Sequence, residues 1–147
     1  MRFVRFPDGT EVRAASLSER VDQDKWRQFG LYLDERWNPS WPSVVIRWKD
    51  YELPESHTEA FDQIVSAFTR AKAGEHVEIG CHGGTGRTGT VLACMAILAG
   101  VVPKDAVNWV RQHYHQKSID TREQEKWVLW FAEEAERRGS GRGKRMC

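Results

Sequence analysis

The feature that most constrains the fold is a short apolar run, a glycine-rich turn and a long apolar segment in direct succession. The run is HVEIG (76–80), the turn is CHGGTG (81–86), and TVLACMAILAG (90–100) is apolar nearly all round. A helix without a polar face is buried inside a domain, and Gly100 is a typical end signal. We therefore predict a buried strand followed by a central, buried helix.

The rest of the chain alternates between strand and helix patterns. The turn PDGT (7–10) between two short strand patterns predicts a hairpin. Between Thr58 and Ala73, apolar residues recur at helical spacing, which predicts a helix. The predicted strands are 2–6, 11–15, 29–34, 43–48 and 76–80, and the predicted helices are 58–73, 90–100, 103–114 and 121–138. This order of elements predicts an α/β protein.

Length and composition are those of one globular domain. At 147 residues, with 40% hydrophobic and 29% charged residues, the chain is long enough for one core and too short for two. We predict a single domain over residues 1–138 and a basic, disordered tail over residues 139–147. The net charge of +1 attracts neither nucleic acid nor membrane as a whole. The sequence contains no bilayer-spanning run and no apolar core of a signal peptide. We therefore expect a cytoplasmic protein that binds neither nucleic acid nor membrane, and we expect it to be a monomer.

The three cysteines differ in their surroundings. They are too few for a disulfide framework, and none forms the C-x-x-C pair of a zinc site. Cys94 lies in the apolar helix, where a thiol acts as a small buried apolar residue, and Cys147 is the last residue. His113 and His115 lack thiols or carboxylates at a metal-binding spacing and are expected on a helix surface. Cys81 is therefore the candidate for chemistry, and no metal site is predicted.

The junction between the predicted strand and the central helix has the properties of an anion site. The first N–H groups of a helix lack intrahelical partners and carry a partial positive charge, so phosphate groups often bind there. Glycines allow the backbone N–H groups to turn inward as a concave nest, and the planar fork of an arginine can grip two phosphate oxygens. The predicted phosphate-binding residues are His82, Gly83, Gly84, Thr85, Gly86 and Arg87.

Cys81 supplies a possible reaction at this anion site. A thiol that faces the nest and Arg87 is expected to lose its proton near neutral pH, because both favour the thiolate. The hydroxyl of Thr88 is placed to hydrogen-bond the sulfur, which would help it act first as nucleophile and later as leaving group.

The stretch CHGGTGRTG (81–89) resembles the signature of the cysteine-dependent protein tyrosine phosphatases, which is C-x5-R followed by Ser or Thr. A second stretch, WKDYELP (48–54), is similar to the family's mobile acid loop, W-P-D-x-x-x-P. Two positions depart from the family pattern, because Gly80 stands where the residue before the nucleophile is usually His, and Lys49 replaces a proline. The resemblance extends from about Phe29 to Phe131, and the short chain is most like the compact, dual-specificity members.

The resemblance implies the protein tyrosine phosphatase-like fold, with a central mixed, mainly parallel sheet flanked by helices. It also implies phosphomonoester hydrolysis through a cysteinyl-phosphate intermediate, without metal or cofactor. Cys81 would be the nucleophile, Arg87 the phosphate ligand, Asp50 the acid that protonates the leaving group, and Gln124 the residue that aligns the hydrolytic water. The expected partner is a phosphorylated protein, with phosphotyrosine as substrate and phosphoserine or phosphothreonine as further substrates.

Other functions remain open at this point. An inositol phosphate or phosphoinositide would be an alternative substrate, although the loop offers only His82 beyond Arg87 to meet extra phosphates. A catalytically silent phosphate-binding module is the non-enzyme alternative. GTGRTG (84–89) also fits the dinucleotide fingerprint, but Asp105 stands at a predicted helix start instead of a strand end. A rhodanese-like sulfur carrier would have no use for Asp50.

Overall fold

A five-stranded sheet forms the centre of the molecule, in a computed structural model that describes the backbone of residues 1–146 and the side chains of residues 1–139. The strands are β1 (Arg2–Arg5), β2 (Glu11–Ser16), β3 (Phe29–Tyr32), β4 (Ser43–Val45) and β5 (Val77–Cys81). Their order across the sheet is β1-β2-β5-β3-β4. β1 is antiparallel to β2 and the other neighbours are parallel, which confirms the predicted mixed, mainly parallel sheet.

Helices occupy the segments in which the sequence predicts them. They are α1 (His57–Lys72), α2 (Gly86–Leu98), α3 (Ala106–His113) and α4 (Arg122–Met146), together with single 3₁₀ turns at Leu17–Glu19, Glu35–Trp37 and Pro103–Asp105. α4 extends to Met146, beyond residue 138, where the sequence analysis predicts its end. The side chains from residue 140 onward and all of Cys147 lie outside the described residues, so disorder of the tail stays a prediction.

The two helices that contact the parallel strands form for reasons visible in the sequence. Ser56 caps α1 by accepting a hydrogen bond from the Glu59 N–H at 3.1 Å, and the apolar stripe of α1 is buried. α2 is buried from Gly86 to Ala96, as its apolar composition predicts. Both helices pack on one face of the sheet, where they share the main hydrophobic core with Leu31 and Ile79.

The opposite face of the sheet, called the second face below, has a different cover. Side chains alternate along a strand, so Leu31 and Leu33 point into the main core while Tyr32 packs with Ala15 and Trp37 in a separate cluster. The long connections of residues 17–28 and 33–42 supply this cover, including the 3₁₀ turn that carries Trp37.

The parallel strands bring three chain segments to one edge of the sheet. Ser16 at the end of β2 pairs with Cys81 at the end of β5, and Tyr32 at the end of β3 pairs with Gly80. Loops that follow the carboxyl ends of parallel strands are where α/β proteins bind ligands. The glycine-rich turn therefore lies at the edge where a site is expected.

Candidate active site

Cys81 ends β5 with its sulfur turned into the glycine-rich turn. The residue is only 2% exposed, and its Sγ accepts a hydrogen bond from the Gly84 N–H at 3.1 Å. Gly84 has φ +76°, a left-handed conformation that favours glycine. A Cβ on Gly84 would also lie 3.2 Å from the Cβ of Ser16. A glycine at this position therefore allows the N–H group to reach the sulfur.

Arg87 is the second residue of α2 and is also 2% exposed. Its Nη1 donates to the carbonyl of Leu33 at 3.0 Å and to that of Trp48 at 2.6 Å. Its Nη2 lies 3.1 Å from Asp34 Oδ2, and its Nε lies 3.7 Å from Asp50 Oδ1. In the part of the chain that the structure describes, Nη2 is paired by charge with Asp34 and Nε lies near Asp50, but neither atom makes a hydrogen bond of regular geometry. Two buried N–H-bearing atoms of the guanidinium therefore have hydrogen-bonding capacity left for a ligand.

Asp34 is a site residue that the sequence analysis missed. It is buried, caps the 3₁₀ turn through the Arg36 N–H at 2.9 Å and pairs with Arg87. Hydrogen bonds from Arg36, followed by the charge of Arg87, hold the pKa of Asp34 well below its usual range. The sequence signal for Asp34 was a carboxylate that directly follows a predicted buried strand, because such a residue lies at the same edge of the sheet as the glycine-rich turn.

The predicted acid loop, Trp48–Pro54, reaches the turn as expected. Trp48 and Pro54 form an isolated antiparallel bridge, and the Trp48 indole donates to the carbonyl of Glu52 at 2.7 Å. Tyr51 turns the chain with φ +63°. Asp50 is 47% exposed and lies beside Arg87. The structure therefore places Arg87, in the turn that Cys81 begins, beside Asp50 of the acid loop.

Gln124 is fully buried between α4 and the acid loop. Its Oε1 accepts from the N–H groups of Asp120 and Thr121, at 2.8 and 3.3 Å, and its Nε2 donates to the carbonyl of Glu52 at 3.0 Å. Both ends of the amide are therefore engaged with the backbone. The arrangement is that of a clamp on the acid loop, and alignment of a water molecule by Gln124 stays a prediction.

Asp120 is a second carboxylate at the site that the sequence analysis missed. A Cβ on Gly86 would lie 1.6 Å from its Oδ2, so the glycine at the start of α2 permits this close approach. One turn later, Gly89 gives the same room to Ser118. Partial desolvation of the carboxyl against α2, in a residue that is exposed as a whole, and then the negative charge of Asp50 raise the pKa of Asp120, against the opposing effect of Arg87. The glycine spacing G-R-T-G was the signal for a closely packed segment here.

The remaining predicted residues occupy the turn in different environments. His82 and Gly83 are exposed, Thr85 is partly buried, and Gly84 and Gly86 are buried. Thr88 is fully buried, and its Oγ1 has no hydrogen-bond partner among the described residues. The predicted bond from Thr88 to the sulfur is not formed in this structure, and its role stays a prediction.

A cleft of about 440 Å³ opens beside Arg87 and Asp50. It is lined by Trp48 and by charged side chains of both signs, the basic ones being Arg36, Arg47, Lys49 and Arg87 and the acidic ones Asp34, Glu35, Asp50 and Glu55. Cys81 is not part of this lining, because its sulfur is covered at the bottom of the turn. The cleft therefore has room for a substrate group next to the turn and has no strong overall charge.

His113 is the last residue of α3 and is exposed, as the sequence analysis expects, whereas His115 lies in the loop after this helix and not on a helix surface. His113 stacks on Trp109 with ring centroids 4.3 Å apart, and His115 accepts from the Lys117 N–H at 3.0 Å. Within the described residues, no three His, Cys, Asp or Glu side chains come together as a candidate metal site. Of the helices described, none combines the length and the hydropathy needed to cross a membrane.

The sequence matches a known domain family over most of its length. The family model described as "PTP-SAK: Swiss Army Knife protein, DSP-PTPase phosphatase domain" matches residues 35–128. Two uncharacterized proteins of Methanocaldococcus jannaschii are each 34% identical over 112 residues. The match covers 69% of this chain, with 74% of one relative and 68% of the other. The matched region contains both the glycine-rich turn and the acid loop.

Solved phosphatase structures have the same fold. Tk-PTP in its active form superposes with a TM-score of 0.67 at 21% identity, covering 82% of this chain and 88% of that one. PTPMT1 gives a TM-score of 0.69 at 14% identity, covering 95% and 99%. Human DUSP28 gives 0.68 at 10% identity, covering 92% and 99%. At these identities the likeness establishes the architecture, and it agrees with the fold that the sequence resemblance implied.

Proposed function

Because this chain belongs to the DSP-PTPase phosphatase domain family of the cysteine-dependent protein tyrosine phosphatase superfamily, we propose that it hydrolyses phosphomonoesters on proteins through a cysteinyl-phosphate at Cys81. The preferred substrate in this proposal is phosphotyrosine, with phosphoserine and phosphothreonine as further substrates.

The observation that carries the proposal is the unsatisfied guanidinium of Arg87. A buried N–H without an acceptor costs free energy, and such groups in native proteins call for an explanation. Here the two atoms that make no regular hydrogen bond belong to a residue at the N-terminus of α2, where the helix favours an anion. A phosphoryl group next to the sulfur of Cys81 would supply the missing acceptors.

The first chemical step follows from these positions. The thiolate of Cys81 attacks phosphorus, so that an S–P bond forms while the P–O bond to the leaving group breaks. The turn N–H groups and Arg87 stabilise the charge on the equatorial oxygens. Asp50 donates its proton to the departing oxygen, which leaves as an alcohol or phenol. The product of this step is a cysteinyl-phosphate with Asp50 as a carboxylate.

The second step returns the enzyme to its starting state. The carboxylate of Asp50 takes a proton from a water molecule, whose oxygen attacks phosphorus as the S–P bond breaks. Inorganic phosphate leaves, Cys81 is again a thiolate and Asp50 is again protonated.

A phosphoinositide is a second candidate substrate. PTPMT1, one of the structural neighbours, has been solved in complex with PI(5)P. In this chain the cleft carries Arg36, Arg47 and Lys49 around Arg87, and these could meet further phosphate groups. Acidic side chains line the same cleft, so we prefer the phosphoprotein.

The direct test is phosphate release in the presence of a chelator. The substrates are an aryl phosphate, phosphotyrosine and phosphoserine or phosphothreonine peptides, and a phosphoinositide. We expect wild-type turnover, none with Cys81→Ser, and a loss of about 10²-fold or more in kcat with Asp50→Ala, because general acid catalysis contributes that much.

Cys94→Ser is the matched control. Cys94 is also a buried free thiol, but it lies within α2 and outside the glycine-rich turn. It is expected to retain turnover. Absence of turnover by the folded wild type on every substrate would contradict the proposal and leave a phosphate-binding module. A preference for the phosphoinositide would replace the phosphoprotein as substrate.

A further inference from the structure

We propose that Trp37 is a positioning residue for the nucleophile loop, residues 81–87, and that it takes the place of a side chain at position 80. The inference rests on the proposed function in treating Cys81 as the nucleophile. It concerns a residue far from this loop in sequence, in the 3₁₀ turn after β3.

Gly80 leaves the space that the Trp37 indole fills. Trp37 is fully buried, and a Cβ at position 80 would lie 2.5 Å from its Cζ2 and 2.9 Å from its Cε2. An indole at position 37 and a side chain at position 80 therefore exclude each other. The departure from the usual histidine before the nucleophile is matched by a large ring brought from another segment.

The Trp37 ring also provides a hydrogen bond to the residue that bears the nucleophile. Its Nε1 donates to the carbonyl of Cys81 at 3.1 Å. A peptide bond is planar and trans, so fixing this carbonyl also fixes the direction of the His82 N–H. That N–H is the first of the predicted phosphate cradle.

The same arrangement recurs along the nucleophile loop. Three carbonyls of the loop accept hydrogen bonds from donors outside both the loop and α2: Cys81 from the Trp37 indole, His82 from the Leu17 N–H and Gly84 from the Tyr114 hydroxyl. Donors that hold the carbonyls outward leave the N–H groups of the loop available for a ligand. Trp37 performs this role at the peptide next to the sulfur.

The position of the Trp37 ring is itself fixed by the second face of the sheet. Its ring stacks on Tyr32 with centroids 4.1 Å apart and planes 17° apart. The Tyr32 hydroxyl donates to Glu78 Oε1 and accepts from the Trp41 indole, both at 2.7 Å. Tyr32 and Glu78 are buried. The indole is therefore held in one orientation by neighbours that do not contact the substrate site.

The test compares Trp37→Phe with the wild type in three measurements: kcat and KM for an aryl phosphate, affinity for tungstate as a phosphate-like oxyanion, and the pH profile of Cys81 alkylation by iodoacetamide. We expect kcat and tungstate affinity to fall about tenfold, because the lost hydrogen bond leaves a buried carbonyl unsatisfied. We also expect a changed alkylation profile, since the loop N–H groups that face the sulfur lose their orientation.

Trp109→Phe is the matched control. It makes the same indole-to-phenyl change in α3, where the ring packs on Phe6 and His113 and does not support Tyr32 or Trp37. It is expected to lower thermal stability and to leave kcat, tungstate affinity and the alkylation profile near wild-type values. Equal losses in the two variants, or wild-type kcat and tungstate affinity in Trp37→Phe, would overturn the inference.

Two further variants keep the test decisive if Trp37→Phe unfolds. A benzothienylalanine at position 37 retains the bicyclic ring and removes only the N–H, and it should show the same loss. Combining Trp37→Ala with Gly80→His should restore part of the kcat lost in Trp37→Ala, and no recovery would refute the replacement of a side chain at position 80. Wild-type turnover is measured first, so that failure of the phosphatase proposal is recognised separately from failure of this one.

Discussion

The guanidinium of Arg87 is oriented by the protein before any substrate arrives. Two backbone carbonyls and the carboxylate of Asp34 hold it from the end of β3 and from the acid loop. Groups that are already oriented need no rearrangement when charge develops in the transition state. Asp34 is therefore important both for stability and for the geometry of the site.

Asp34→Asn is predicted to alter stability in acid. The pKa of Asp34 is depressed in the folded protein, so its carboxylate stabilises the fold at pH values above the usual aspartate pKa. This stabilisation is lost as the pH falls towards the pKa that Asp34 has in the folded protein. Below about pH 4 the Tm of the wild type should therefore fall as Asp34 becomes protonated. In Asp34→Asn the asparagine still caps the 3₁₀ turn, but it does not titrate, so this part of the fall in Tm should be absent. Thermal melts across acidic pH measure the difference, and parallel curves for the two proteins would contradict the prediction.

Asp120→Asn is predicted to have the opposite pH dependence. Because the pKa of Asp120 is raised in the folded protein, the folded state holds this proton more tightly than the unfolded state. Its contribution to stability is present at low pH and is lost as pH rises through the folded value. The Tm of the variant relative to wild type should therefore increase from about pH 4 towards neutrality. A constant offset across the same melts would show that the carboxyl does not titrate in this way.

Among the secondary elements, α4 holds the acid loop through a hydrogen bond from Gln124 and through the Trp127 ring, whose centroid lies 5.5 Å from that of Trp48. The carbonyl of Glu52 accepts hydrogen bonds from Gln124 and from Trp48, while Arg87 holds the carbonyl of Trp48 itself. These contacts keep the loop against the turn and leave Asp50 exposed at its tip. Lys49, where the family pattern has proline, lies in this segment without interrupting the clamp.

Gln124→Glu is predicted to weaken the clamp while preserving the start of α4. The carboxylate still accepts from the Asp120 and Thr121 N–H groups but cannot donate to Glu52. We expect kcat to fall about tenfold with a smaller change in KM, because the loss of about 1.4 kcal/mol acts on the positioning of Asp50. Gln112→Glu, on the exposed surface of α3, is the control and should be silent in steady-state kinetics. A Gln124→Glu enzyme with unchanged kcat would show that the clamp is not used in turnover.

Across the whole molecule, the two faces of the sheet are stabilised by different means. The helices cover one face with apolar side chains, whereas the second face buries Glu78 with Arg13 at 2.5 Å and Arg27 at 3.5 Å. Arg27 also lies over the ring of Trp41, 3.6 Å from its centroid. This ionic and aromatic cover supports Tyr32, and through Tyr32 it supports Trp37.

Glu78→Gln is therefore predicted to destabilise the whole domain. Removing the charge leaves the buried Arg13 and Arg27 with Asp24 as their remaining acidic partner, and breaking a comparable buried pair costs about 3 kcal/mol. Glu125→Gln breaks an exposed pair with Arg111 and should cost less than about 1 kcal/mol. Urea unfolding gives both free energies, and equal values would argue against a structural role for the buried network.

The sequence predicts the fold and the central site because both depend on local patterns. The order of strands and helices, the turn from Cys81 to Arg87 and the acid loop around Asp50 can each be recognised within a few residues. Trp37 could not be found in this way, and for Asp34 and Asp120 the local signals did not identify the partner residues. Their roles depend on contacts between segments that are distant in sequence, such as the Trp37 ring against Gly80.

The central claim is that catalysis passes through a phosphoryl group bound to Cys81. Rapid acid quench of Asp50→Ala during turnover of an aryl phosphate, followed by peptide mass spectrometry, tests it directly, because hydrolysis of the intermediate needs Asp50 as base. We predict a mass increase of one phosphoryl group on the peptide that contains Cys81, and none in Cys81→Ser. Turnover without this adduct, or an adduct on another residue, would contradict the claim.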